Sequence, residues 1–133
     1  MKIVVGYLDS REGQAALEAA VAETRARGGS LVIVHSRLQS DDDPWVMDLE
    51  LGGLDELLTG HEIDHKVVDI KMRGRAADHI LAVAKNENAD LIVVGIKGRS
   101  ALGIAVFGST AQTVLHDATC PVLAVKAPRP KPA

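Results

Sequence analysis

Five short runs rich in β-branched residues, each set apart from the next by a longer stretch, constrain this chain more than any other feature. They are Lys2–Tyr7 (KIVVGY), Ser30–Ser36 (SLVIVHS), His65–Met72 (HKVVDIKM), Asp90–Gly95 (DLIVVG) and Pro121–Val125 (PVLAV). The first gap holds a helical pattern with Ala16, Ala20 and Ala22 to Thr24 on its apolar stripe, closed by Gly28 and Gly29. Met47–Gly60 is a weaker helical stretch interrupted at Gly52 and Gly53. Arg75–Asn88 is a clear helix with Ala77, Ile80, Leu81 and Ala84 on one face, and Ser109–Asp117 reads as a fourth. Strands joined by helical crossovers pair in parallel with right-handed connections, so the class is α/β with helices on both faces of an open five-stranded parallel sheet. The first and fourth strands are continuously apolar and belong in the centre, whereas the third carries Lys66, Asp69 and Lys71 and belongs at an edge. The predicted order is therefore 3-2-1-4-5.

That order reverses direction between the first and fourth strands. Ligands of open α/β sheets bind in such a crevice, beyond the carboxyl ends of the strands. Two segments fall there: Tyr7-Leu8-Asp9-Ser10 and GIKGRSALGIAVFGST (Gly95–Thr110), whose glycines follow the interval G-x2-G-x9-G-S. Gly95 closes the fourth strand behind Val94, Gly98 allows a close turn, and Gly108-Ser109-Thr110 opens the fourth helix. A helix start presents unpaired N–H groups and a partial positive charge, Ser109 and Thr110 add hydroxyls, and Lys97 and Arg99 add cations, all suited to phosphate. The competing reading is a turn followed by a helix that Ser109 merely caps. Neither a Walker A loop nor a G-x-G-x-x-G fingerprint is present.

Taken together, IVVGYLDSREGQAAL, LVIVHS, GRAADHIL, the glycine interval and the closing CPVLAVK span nearly the whole chain and resemble the universal stress protein family. The resemblance implies a Rossmann-like domain over residues 1–126, a homodimer, ATP with Mg2+ as ligand, a role in stress response and signalling, and no established catalysis. It places Gly95, Gly98, Gly108, Ser109 and Thr110 around phosphates and ribose, with Val94 and Arg99 beside them and Ser36 bordering the adenine pocket. The first loop departs from the pattern. Relatives commonly have V-D-G-S there, but this chain has Leu8 in the acidic position and Asp9 in place of a glycine. Leucine cannot accept a hydrogen bond, so a dimeric interaction module with an empty or different pocket stands as the alternative.

Composition limits other functions. A net charge of -3 offers no electrostatic footprint for nucleic acid or an anionic membrane, and neither is expected as a partner. Cys120 is the single cysteine, which fits a reducing compartment and a buried, inert thiol. No apolar run reaches transmembrane length and the N-terminus lacks a signal peptide's apolar core, so a cytoplasmic protein is expected. HEIDH (His61–His65) matches the zinc-protease pattern, but a helix end precedes it and a strand follows, so it is read as a turn. His35, His79 and His116 are read as structural or surface residues, and Asp9 is the lone candidate base for hydrolysis. The apolar fifth strand forms an edge that a second copy would cover, and residues 127–133 form a mobile proline-rich tail.

Overall fold

The computed structural model describes residues 1–7, 11–36, 63–70, 74–96, 98–99 and 105–127. The weak helical stretch Met47–Gly60, the loop residues Leu8, Asp9 and Lys97, and most of the proposed tail lie outside them. The elements are β1 (Lys2–Tyr7), α1 (Arg11–Arg27), β2 (Ser30–Ser36), β3 (His65–Ile70), α2 (Ala76–Asn86), β4 (Leu91–Ile96), β5 (Gly98–Arg99), β6 (Ala105–Val106), α3 (Ser109–Asp117) and β7 (Val122–Lys126). Five strands form one parallel sheet in the order β3-β2-β1-β4-β7, which is the predicted 3-2-1-4-5 with β7 as the fifth strand. β5 and β6 form a separate antiparallel ribbon that the sequence reading did not contain.

Both faces of the sheet are covered, and the cover differs. On one side Ile3, Val5, Leu31, Ile33 and Val93 pack against Ala16, Leu17, Ala20 and Val21 of α1. On the other, Val4, Val32, Val34, Ile92 and Val94 pack against Ala77, Ile80 and Ala84 of α2 and Ala111 and Val114 of α3. Alternation along each strand produces this division, because successive side chains leave opposite faces. The alanines of α1 let its axis sit low on the sheet, and Thr24 joins them buried because its hydroxyl donates to the Ala20 carbonyl at 2.7 Å. Ala22, placed on the stripe by the sequence reading, is exposed, and Val21 takes its place. α1 stops where Gly28 adopts φ 68°, a left-handed conformation that glycine enters without strain.

The amino ends of the strands are pinned by charge. Glu87, just past α2, receives Lys66 of β3 and also Lys2 of β1, the latter at 3.3 Å. Lys66 first and Lys2 second hold the Glu87 carboxyl below its ordinary range. The Lys2 backbone N–H donates to Asp90 at 2.8 Å, which aligns β1 with the start of β4. None of the helices among the described residues is long and apolar enough to cross a membrane.

Ile80 is 1% exposed and packs onto the Gly6 position of β1 on its own face of the sheet. Ile80→Ala should therefore lower unfolding free energy by roughly 2–5 kcal/mol, read as a fall in the urea midpoint at unchanged slope. A change under about 1 kcal/mol would mean that α2 is not anchored through this residue.

Candidate functional site

The two central strands separate before they end. β1 and β4 pair at Ile3–Leu91, Val4–Ile92 and Val5–Val93, and their ladder stops there. β1 continues to Tyr7 along β2, and β4 continues to Ile96 along β7. The strands therefore part toward opposite neighbours at the carboxyl edge of the sheet, which is the crevice expected at a topological reversal. Tyr7, Ser36 and Gly95 sit at or next to the carboxyl ends of their strands around this opening.

Helices that follow parallel strands begin at that same edge, so α1, α2 and α3 all direct their N-termini toward it. Their first turns differ in charge. α1 carries Glu12 and α2 carries Asp78, whereas α3 has no acidic residue in its first turn. Asp78 is further engaged by Arg75, with Nε and Nη2 each donating at 3.0 Å, and this bond lowers the Asp78 pKa and raises that of Arg75. On α3 the N-cap is Gly108, in extended conformation at φ -68° and ψ 165°, with no side-chain cap. The capping role considered for Ser109 is thus absent: Ser109 is the first helical residue and is exposed, with Thr110 half-buried behind it. A Cβ built on Gly108 meets no atom of the described residues within 4 Å, so among them the space in front of this helix start is open. The positive end of the α3 dipole has no carboxylate of its own turn to compensate it.

The model of the universal stress protein family matches residues 1–126. A universal stress protein of Thermus aquaticus is 32% identical, the match covering 93% of this chain and 97% of the relative. The solved universal stress protein of Archaeoglobus fulgidus superposes with a TM-score of 0.77 at 28% identity, covering 95% of this chain and 98% of that one. A second structure from that organism, in complex with dAMP, has a TM-score of 0.70 at 24% identity, covering 95% and 98%. The chain belongs to the universal stress protein family.

In this family member the loop glycines have separate physical jobs. β4 runs one residue further than the sequence reading placed it, so Gly95 lies inside the strand, paired with Val125, rather than closing it. A Cβ at Gly95 would fall on the Glu12 carbonyl, so what approaches its backbone is the first turn of α1. Gly98 and Arg99 form β5 and pair with Val106 and Ala105, which places a short ribbon within the connection from β4 to α3. Val94 is 2% exposed, its side chain packed in the core beneath α2 and α3.

One site feature carried no local signal. Tyr7, His35 and Asp69 are register partners across β1, β2 and β3 on the α1 face, forming a polar row at the carboxyl edge. His35 is fully buried, its Nδ1 lying 3.3 Å from Asp69 Oδ1 and its ring centroid 5.7 Å from that of Tyr7, whose hydroxyl donates to Gln14 at 3.3 Å. Register places these residues side by side although 28 and 34 positions separate them in the chain (35 − 7 and 69 − 35).

The remaining candidates are structural. His65 opens β3 and its Nδ1 lies 2.8 Å from the Ile63 carbonyl, so this half of HEIDH is strand rather than helix; His61 and Glu62 lie outside the described residues. Among the described residues no group of three or more His, Cys, Asp or Glu could hold a metal ion. Cys120 is half-buried rather than buried, packed at the margin of the α2 and α3 core, and desolvation raises its thiol pKa, favouring the unreactive protonated form.

Gly95→Ala tests the packing role assigned to this glycine. The added methyl meets backbone, which cannot rotate away, so the substitution should cost about 1–3 kcal/mol of stability, as overpacking does. A Gly95→Ala chain as stable as the parent in urea would return Gly95 to the loop's ligand-facing set.

Proposed function

We propose that this universal stress protein binds an adenine nucleotide, ATP with magnesium, through the start of α3, and serves as a cytoplasmic, dimeric, nucleotide-dependent regulator in stress response and signalling. The observation that carries the reading is the open, uncapped N-terminus of α3 beside the β1–β4 split. Gly108, Ser109 and Thr110 offer backbone N–H groups and two hydroxyls, with no side-chain cap and no acidic residue in the turn. The dAMP complex of a protein with the same fold supports an adenine nucleotide as the class of ligand. Magnesium would ride chiefly on phosphate oxygens and water, with the Ser109 and Thr110 hydroxyls as the protein's own oxygen donors. The reading is of a binding protein rather than an enzyme.

Gly108→Val places a side chain before α3 where no described residue lies within 4 Å, at backbone angles that valine adopts without strain. It should abolish ATP binding in calorimetry while thermal unfolding stays near that of the parent. Retained affinity in the folded variant rejects the phosphate assignment. The nucleoside end is tested by Leu8→Asp and Asp9→Ala. If Leu8 has removed an acceptor, Leu8→Asp tightens ATP binding by roughly 0.5–1.5 kcal/mol and sharpens adenine over guanine. If Asp9 supplies the acceptor instead, Asp9→Ala weakens binding and Leu8→Asp gains nothing.

Assembly rests on β7. It pairs only with β4 among the described strands, and Val122, Leu123, Ala124 and Val125 are each only partly covered. An apolar edge of this kind is closed most simply by the same strand of a second copy, in a symmetric dimer. Light scattering at micromolar concentration should give twice the mass of one chain, and Ala124→Pro, which removes an edge N–H, should shift it toward the monomer. A monomeric parent would remove the dimer from the reading.

A further inference from the structure

We propose that His35 is a positioning residue for the nucleoside half of the site, acting through the row Asp69–His35–Tyr7–Gln14, whose middle two members are buried; this rests on the nucleotide-binding reading above. The other buried strand residues of the α1 face are apolar: Ile3 and Val5 of β1, Leu31 and Ile33 of β2 and Val93 of β4. Polarity begins at the last register of β1 and β2, where the chain leaves the sheet for the crevice. A carboxylate oxygen only accepts, so the Nδ1 facing Asp69 carries a proton, and in the neutral imidazole Nε2 is then a bare acceptor. That Nε2 is buried with no hydrogen-bond partner among the described residues. Leaving a buried acceptor unpaired is costly, and an apolar side chain of similar size would remove the cost. Packing therefore does not explain the imidazole.

Direction does. A hydrogen bond holds an imidazole at a set angle, whereas an aliphatic residue only fills volume. Asp69, on the edge strand, orients His35; the His35 ring lies against Tyr7 at an interplanar angle of 37°; the Tyr7 hydroxyl reaches Gln14 in α1. One row thus orients the last residue of β1, the penultimate residue of β2 and the beginning of α1 together. These are the points from which the chain departs toward Leu8, Asp9 and the stretch after Ser36. α3, where the phosphates are proposed to bind, packs on the opposite face of the sheet from the row.

The experiment compares ATP with tripolyphosphate, which carries the phosphates and no nucleoside, on the parent and on His35→Leu, Asp69→Ala and Asp69→Asn. His35→Leu should keep or raise the unfolding midpoint, since it removes the unpaired acceptor, yet weaken ATP by about tenfold or more while tripolyphosphate shifts less than about twofold. Asp69→Ala should weaken ATP in the same selective way, and Asp69→Asn, which keeps an acceptor oxygen for the Nδ1 proton, should recover most of the loss. Equal weakening of both ligands, or a loss of ATP affinity that follows a fall in stability, makes the row merely structural and overturns the proposal. A parent chain that binds neither ligand overturns the nucleotide reading instead. The tautomer is read separately from the 15N shifts of His35 without ligand, and a proton on Nε2 would overturn the row on its own.

Discussion

Everything at the carboxyl edge of this protein follows from β1 having two different parallel neighbours. Its ladder to β2 and its ladder to β4 satisfy the same backbone from two sides, and the chain reaches them by connections that run in opposite directions. Right-handed crossovers then require α1 on one face and α2 and α3 on the other, which is the division of the two cores. Because each helix follows a parallel strand, all three begin at one edge. The split beyond Val5 and Val93 and the gathering of helix starts are two results of a single topology.

Within that frame, close approach decides which helix start stays open. The first turn of α1 carries Glu12 and lies against Gly95, and that of α2 carries Asp78, paired with Arg75, so both beginnings hold a carboxylate of their own. α3 opens on Gly108 with neither cap nor carboxylate. A ligand anion could supply there what side chains supply elsewhere. Bare helix ends leave N–H groups unsatisfied, so a protein that keeps one beside a crevice retains a cost that binding can recover.

The fold was largely legible in the residues. Lys66 and Asp69 mark β3 as an edge, the uninterrupted IVV runs of β1 and β4 mark them as central, and those two facts with the crossover rule yield the strand order. The start of α3 at Ser109 was equally plain from the glycine before it. The β5–β6 ribbon was not, because strands of two residues have no alternation to detect. Gly95 was read as a loop glycine since nothing in its neighbourhood names Glu12, a residue 83 positions earlier (95 − 12), as the atom group it must admit.

His35 shows the boundary most clearly. By itself it is one histidine at the end of an apolar strand, for which a structural role is the sound default. Parallel register sets it between Tyr7 and Asp69, and burial leaves one nitrogen unpaired, so its chemistry is a property of three strands at once. Periodicity, capping and strand burial are local and are written in the sequence, and they determined the class, the order and the helix that faces the crevice. Which backbone lies against Gly95, and which side chains meet at His35, depends on distances between segments far apart in the chain, and only the packed tertiary structure decided them.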